Sequence, residues 1–252
     1  MSIEKSFDNE SKEIINPFNI VTKLENPPEI AIVTFKQETL ELLVQNYESK
    51  IIGYTNAGGL FPMYKINYKG KDIAIYRTVI GGAASAGLLE EVYAMGIKKF
   101  LFYGSCGVLS KDISEYNFII PTEAYRDEGV SYHYAPKSEY IKVESSTRLE
   151  KIFNTLEIPC VTGRTWTTDA VYRETQNNMR KRKEDGCICV EMECASIMAV
   201  AQFRNIEVYQ FLYAADNLDS EKWDRRVLGG TNQDTRLSLF NIALEVAREC
   251  LK

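Results

Sequence analysis

The stretch CVEMECASIMAVAQF, residues 189 to 203, sets Glu191 and Glu193 one residue apart at the mouth of an otherwise apolar segment. From Met192 to Phe203 the uncharged polar residues are Ser196 and Gln202, so the segment reads as a helix apolar nearly all round and therefore buried. Two carboxylates are thereby carried to the edge of the core. A carboxylate held there is costly unless it caps the helix, meets the positive end of its dipole, or binds something. Asp216 stands in a similar setting, closing the apolar strand VYQFLYAA, and burial there raises a carboxyl pKa toward neutrality. Cys106, in GSCG, and the single histidine, His133, could form a thiol–imidazole pair, although no aspartate or asparagine partner for it is evident. Glu38, taken alone, reads as a solvated acid in the first turn of the helix QETLELL.

These residues are positioned by alternating strand and helix patterns. EIAIVTF (29 to 35), DIAIYRTVI (72 to 80), KKFLFYG (98 to 104), NFIIPTEAY (117 to 125), IPCVTGRTW (158 to 166) and IEVYQFLYAAD (206 to 216) read as strands. Helical patterns follow at QETLELLVQNY, AASAGLLEEVYAMG, 146 to 156, from 192, and from Asp234 to Cys250. Fully apolar strands separated by helices imply an α/β fold with its sheet covered on both faces. The first 20 residues are polar and read as an arm that is either disordered or docked on another subunit; residues 21–252 form the expected single domain.

Composition narrows the partners. A net charge of -5 argues against a general nucleic-acid binder, and the basic run MRKRKEDG (179 to 186) reads as an exposed helix face. No apolar run approaches a membrane span and the N-terminus lacks the apolar core of a signal peptide, so a cytoplasmic protein is expected. The six cysteines lie mostly in apolar segments, Cys187 and Cys189 form C-x-C, and with one histidine no metal site is expected. Three glycine-bearing turns, VIGGAASAG, YGSCGVLS and TGRTWTTDAVYRET, offer backbone N–H groups to a ligand, and none matches a Walker or dinucleotide fingerprint.

Taken in order, IGGAASAGLLEEVYAMGIKKFLFYGSCGVL, RDEGVSYHYAP, WTTDAVYRET, VEMECA and LYAADNL resemble the nucleoside phosphorylase and nucleosidase superfamily over residues 29 to 250. The resemblance implies a three-layer single domain with a central mixed β-sheet flanked by helices, and cleavage of a nucleoside's N-glycosidic bond. That reaction builds positive charge on the sugar and negative charge on the base, so it needs a carboxylate near the ribose and a proton donor near the base. By resemblance Glu193 accepts hydrogen bonds from the ribose hydroxyls, Met192 lies against the sugar, and Glu191 holds the local segment or the base. Asp216 becomes the acid for N7 of a purine, with Ala215 before it where the purine branch often has serine. RDEGVSYHYAP looks more like the uridine branch, and the loop carrying His133 is expected near a subunit interface and the 5′ side of the nucleoside. Thr168, Asp169, Val171, Tyr172 and Arg173 are expected around the base, and Ser105, Cys106 and Gly107 along the glycine turn.

The chain departs from the phosphorylase pattern at the acceptor. Positions that carry phosphate-binding arginines in the family align with Glu38, Phe102 and Gly59. A phosphate dianion without cations is poorly held. Ser105 and the turn amides remain, while Lys36 and Arg77 are nearby cations outside the family pattern. In hydrolytic members a glutamate near position 38 activates water, which tips the expectation toward hydrolysis by Glu38, Glu193 and Asp216. Phosphorolysis with inorganic phosphate as co-substrate, and a purine-binding protein without turnover, are the alternatives. No cofactor is expected, and the resemblance implies a homo-oligomer, dimeric, trimeric or hexameric.

Overall fold

The computed structural model of the chain describes residues 2–57, 59–220 and 222–252. In chain order the elements are β1 (Ile30–Thr34), α1 (Gln37–Asn46), β2 (Ser49–Thr55), β3 (Phe61–Tyr68), β4 (Lys71–Arg77), α2 (Gly82–Ala94), β5 (Lys99–Val108), β6 (Phe118–Asp127), α3 (Ser131–Tyr134), β7 (Tyr140–Lys142), α4 (Ser146–Thr155), β8 (Cys160–Thr168), α5 (Gln176–Glu184), β9 (Cys187–Glu191), α6 (Cys194–Arg204), β10 (Glu207–Asn217) and α7 (Gln233–Cys250).

One mixed sheet joins all ten strands. β1 lies between β4 and β5 and is parallel to both, while β2, β3 and β4 form an antiparallel meander at one side. On the other side β5 pairs with both β10 and β9, and the pairings β10–β6, β6–β8 and β8–β9 complete a closed circuit of strands. Closure brings the ends of distant strands around one opening.

Alternation along the buried strands builds the two helical layers. On β1, Ala31 and Val33 face the core shared with α2 and α6, whereas Ile30 and Ile32 face the core shared with α1, α4 and α7. The three-layer arrangement implied by the resemblance is therefore present. α2 and α6 approach closely at Gly82, where an added Cβ would lie 2.1 Å from Ser196 Oγ. Ser196 in turn donates to the buried Glu128 carboxylate.

Some elements differ from the sequence reading. α6 begins at Cys194 instead of Met192 because residues 187 to 191 are committed to β9, which pairs with both β8 and β5. The hairpin of β2 and β3 was hidden by its partly exposed, mixed-polarity strands, which carry no clean period of two. The N-terminal arm lies along its own chain: Glu4 pairs with Lys137 at 2.6 Å, Glu13 with Arg204 at 2.8 Å, and Phe18 meets Tyr93 edge-on. Among the described residues no helix is long and apolar enough to cross a membrane.

Candidate active site

A cavity of ≈ 250 Å³ is lined by the ends of β1, β5, β9 and β10 together with parts of α1, α7 and the segment after β8. It gathers Ser105, Cys106, Gly107, Val171, Glu191, Met192, Glu193 and Asp216 from the sequence-expected set. Strand ends in α/β sheets are the usual place for a ligand crevice, because turning backbone leaves polar groups unpaired there.

The two glutamates have separate tasks. Glu191, the last residue of β9, accepts hydrogen bonds from the backbone N–H groups of Glu193 at 2.8 Å and Cys194 at 2.6 Å, and from the Thr167 hydroxyl at 2.5 Å. It therefore supplies acceptors to the open N-terminus of α6. Glu193 faces the other way and accepts from the Gly81 N–H at 2.6 Å. Gly81 has φ 106°, a left-handed conformation that glycine adopts without penalty, and this turn aims its N–H at the carboxylate. Burial, then the Glu191 charge, raises Glu193 above the usual carboxylate range.

Asp216 is aimed by a β-bulge. The register of β10 against β5 slips between Ala214 and Asp216, which sets Asp216 opposite Gly107. Gly107 keeps this approach close: a Cβ there would lie 3.2 Å from Asp216 Oδ1 and 2.5 Å from Leu218 Cδ1, so the neighbouring side chains would have to shift. Oδ2 accepts from the Trp223 indole N–H at 2.8 Å. Burial pushes the carboxyl above its ordinary range, while Trp223 and Arg226 offset part of that rise.

The cavity also holds cations at its α1 and α7 side. Lys36 and Arg236 line it with Thr34, Thr39 and Ser105. Burial, then the Arg236 charge, pushes the Lys36 ammonium below its usual range. Neither side chain forms an ion pair among the described residues, and the buried Nε of Arg236 has no hydrogen-bond partner there. Arg77, the other sequence candidate, instead stacks over Phe61 at 4.1 Å and is not part of the lining.

Several expected site residues lie elsewhere. Glu38 is exposed on the first turn of α1, where the helix turns Thr39 inward and Glu38 to solvent. After β8, the Thr168 hydroxyl accepts from the Ala170 N–H and the Asp169 carboxylate from the Gly129 N–H. Tyr172 and Arg173 point outward, Tyr172 being 97% exposed. Residues 171 to 173 form a 3-10 turn, in which positions three apart eclipse, so Val171 and Glu174 both reach the cavity. His133 is exposed on α3, outside the lining, and cannot serve Cys106 there. Cys106 is buried, its thiol donates to the Tyr213 carbonyl at 3.6 Å, and burial raises its pKa, all of which oppose a thiolate nucleophile.

The family follows from a match over most of the chain. A sequence profile described as "Phosphorylase superfamily" matches residues 29–248. The chain belongs to that superfamily. It is similar to a purine nucleoside phosphorylase DeoD-type of Alkaliphilus metalliredigens (strain QYMF), at 24% identity over 82% of this chain and 89% of the relative. A guanosine phosphorylase of Halorubrum lacusprofundi is 29% identical over 66% of this chain and 65% of its own length. A further DeoD-type purine nucleoside phosphorylase, from Bacillus cytotoxicus, is 22% identical over 82% of this chain and 86% of that protein.

As a member of the phosphorylase superfamily, the protein is an enzyme; its pocket includes Thr39, Glu174 and Arg236, which the sequence reading did not assign, and Trp223, also unassigned, engages Asp216 from beside the lining. The eclipsed spacing from Val171 is the one signal that points to Glu174; Arg236 gives none, since it comes from a different part of the chain. Replacing Glu191 by alanine would leave two backbone donors at the start of α6, and the Thr167 hydroxyl on β8, short of a partner. Urea denaturation of Glu191→Ala is expected to show a loss of about 2–4 kcal/mol, and an unchanged midpoint would contradict the capping role.

Proposed function

We propose that this enzyme cleaves the N-glycosidic bond of a purine-type ribonucleoside with inorganic phosphate as the acceptor. The observation that carries the acceptor assignment is the pair Lys36 and Arg236, two cations without acidic partners in one cavity, with a buried guanidinium N–H left free. Unpaired cations inside a pocket are costly until an anion arrives, and an oxyanion matches their donors. Ser105 on the same wall adds a hydroxyl. Arg236 also stands in the first turns of α7, where the helix's positive end reinforces attraction for an anion. The exposure of Glu38 removes the support for a water-activating base there.

In this reading Glu193, held by Gly81, accepts from the ribose hydroxyls and stabilises the positive charge that grows on the sugar. Asp216 protonates the departing base at N7. Trp223 occupies Oδ2, which leaves Oδ1, beside Gly107, to carry the proton. Phosphate held by Lys36 and Arg236 then attacks the anomeric carbon. DeoD-type and guanosine phosphorylases among the relatives support both the purine and the phosphate.

We also propose that the enzyme is a cytoplasmic homo-oligomer. Ile80, Val171, Tyr172 and Trp223 are exposed large apolar residues at or beside the cavity, and such a rim favours cover by a second copy. Sedimentation velocity is expected to give a species larger than 28.7 kDa; a monomer at micromolar concentration would contradict this.

Base release from purine ribonucleosides is expected only with phosphate, yielding a sugar phosphate. Lys36→Met and Arg236→Met should each raise the KM for phosphate by ~10-fold or more. Equal base release without phosphate, with free ribose as product, would make water the acceptor. Because Asp216 must hold its proton to act, kcat/KM should fall as pH rises through its elevated pKa. Asp216→Asn should lower kcat/KM by ~10²–10⁴-fold and flatten that alkaline limb; a pH profile unchanged by the substitution would exclude Asp216 as the acid.

A further inference from the structure

Glu174 is the carboxylate in the cavity for which the protein supplies no counterpart. Glu191 is held by Thr167 and two backbone N–H groups, Glu193 by Gly81, and Asp216 by Trp223. No hydrogen bond or ion pair among the described residues engages the Glu174 side chain. The neighbouring Arg173 is exposed on the outer side of the turn. Burial raises Glu174 to about 7, and the Asp216 charge adds to that rise, so the two carboxyl groups sense each other across the pocket. A half-buried carboxyl placed near a second one lowers stability in the empty protein. Its position is explained by a ligand that brings hydrogen-bond donors.

The base edge beside N7 provides that test. An adenine presents N7 as an acceptor next to the 6-amino group as a donor, whereas a 6-oxopurine presents two acceptors, N7 and O6. A protonated Asp216 supplies one donor and an ionised Glu174 one acceptor, which complements the 6-aminopurine edge and places two oxygens against each other with a 6-oxopurine. We propose that Glu174 is a specificity-determining residue that accepts a hydrogen bond from the 6-amino group and selects 6-aminopurine nucleosides over 6-oxopurine nucleosides. This inference rests on the reading of Asp216 as the residue that meets N7.

Pairing one donor and one acceptor with the correct base edge discriminates by about 10-fold or more. The experiment compares kcat/KM for adenosine and inosine, each with phosphate, in the wild type, Glu174→Leu and Glu174→Gln. The wild type is expected to favour adenosine by about 10-fold or more. Glu174→Leu should bring the ratio close to one, and Glu174→Gln, whose amide can also donate to O6, should shift it toward inosine. A wild-type preference for inosine, or a ratio that neither substitution alters, would overturn the assignment of Glu174. Absence of base release from every nucleoside would instead refute the proposed reaction. In that event calorimetry with free adenine and hypoxanthine decides the inference separately: tighter adenine binding that depends on Glu174 supports it, and equal binding in wild type and variants rejects it.

Discussion

Glu191 accepts hydrogen bonds from the backbone of Glu193 and Cys194 and from the Thr167 hydroxyl at the same time, so it ties β8, β9 and the start of α6 to one buried carboxylate. A buried charge on its own is expensive, and three directed donors are what make this one tolerable. The same constraint orients the chain between β9 and α6. With Glu191 occupied by the helix end, Met192 and Glu193 are turned into the cavity, and Glu193 meets the N–H of Gly81 at the start of α2. The close approach of α2 to α6 at Gly82 and Ser196 keeps that contact short. Structure and chemistry thus share the stretch from Glu191 to Cys194.

The cavity brings together groups that repel or remain unpaired without a ligand. Lys36 is near Arg236, Glu193 near Glu191, and Glu174 near Asp216. Each arrangement costs stability, and in the proposed reaction each is offset by a molecule with an anionic part, hydroxyl donors and a hydrogen-bonding base. Closure of β5, β10, β6, β8 and β9 into a ring supplies the rigidity that keeps such groups together.

Much of the scaffold was legible because fully apolar strands such as β1, β5 and β10 and the buried α6 leave strong local patterns. Asp216 was legible for a related reason: an acid ending an apolar strand is visible in the linear chain. The bulge that aims it was hidden, since a one-residue slip in pairing depends on the partner strand. At α1 the choice between Glu38 and Thr39 is a matter of helical phase, set by where the turn from extended Lys36 begins. The base-side segment depends on local phase in the same way. Tyr172 and Arg173 offer an aromatic ring and a cation, but the 3-10 turn directs them to solvent and brings the Glu174 carboxylate inward. Arg236 became visible as a partner of Lys36 only when α7 was packed beside α1.

The proposed arrangement is tested most directly by a crystal structure with a purine C-nucleoside, whose glycosidic carbon–carbon bond cannot be cleaved by this chemistry, together with phosphate. Ribose hydroxyls are expected within hydrogen-bond distance of Glu193, the N7 edge of the base at Asp216, and phosphate between Lys36 and Arg236. A nucleoside bound away from Glu193 and Asp216 would contradict it.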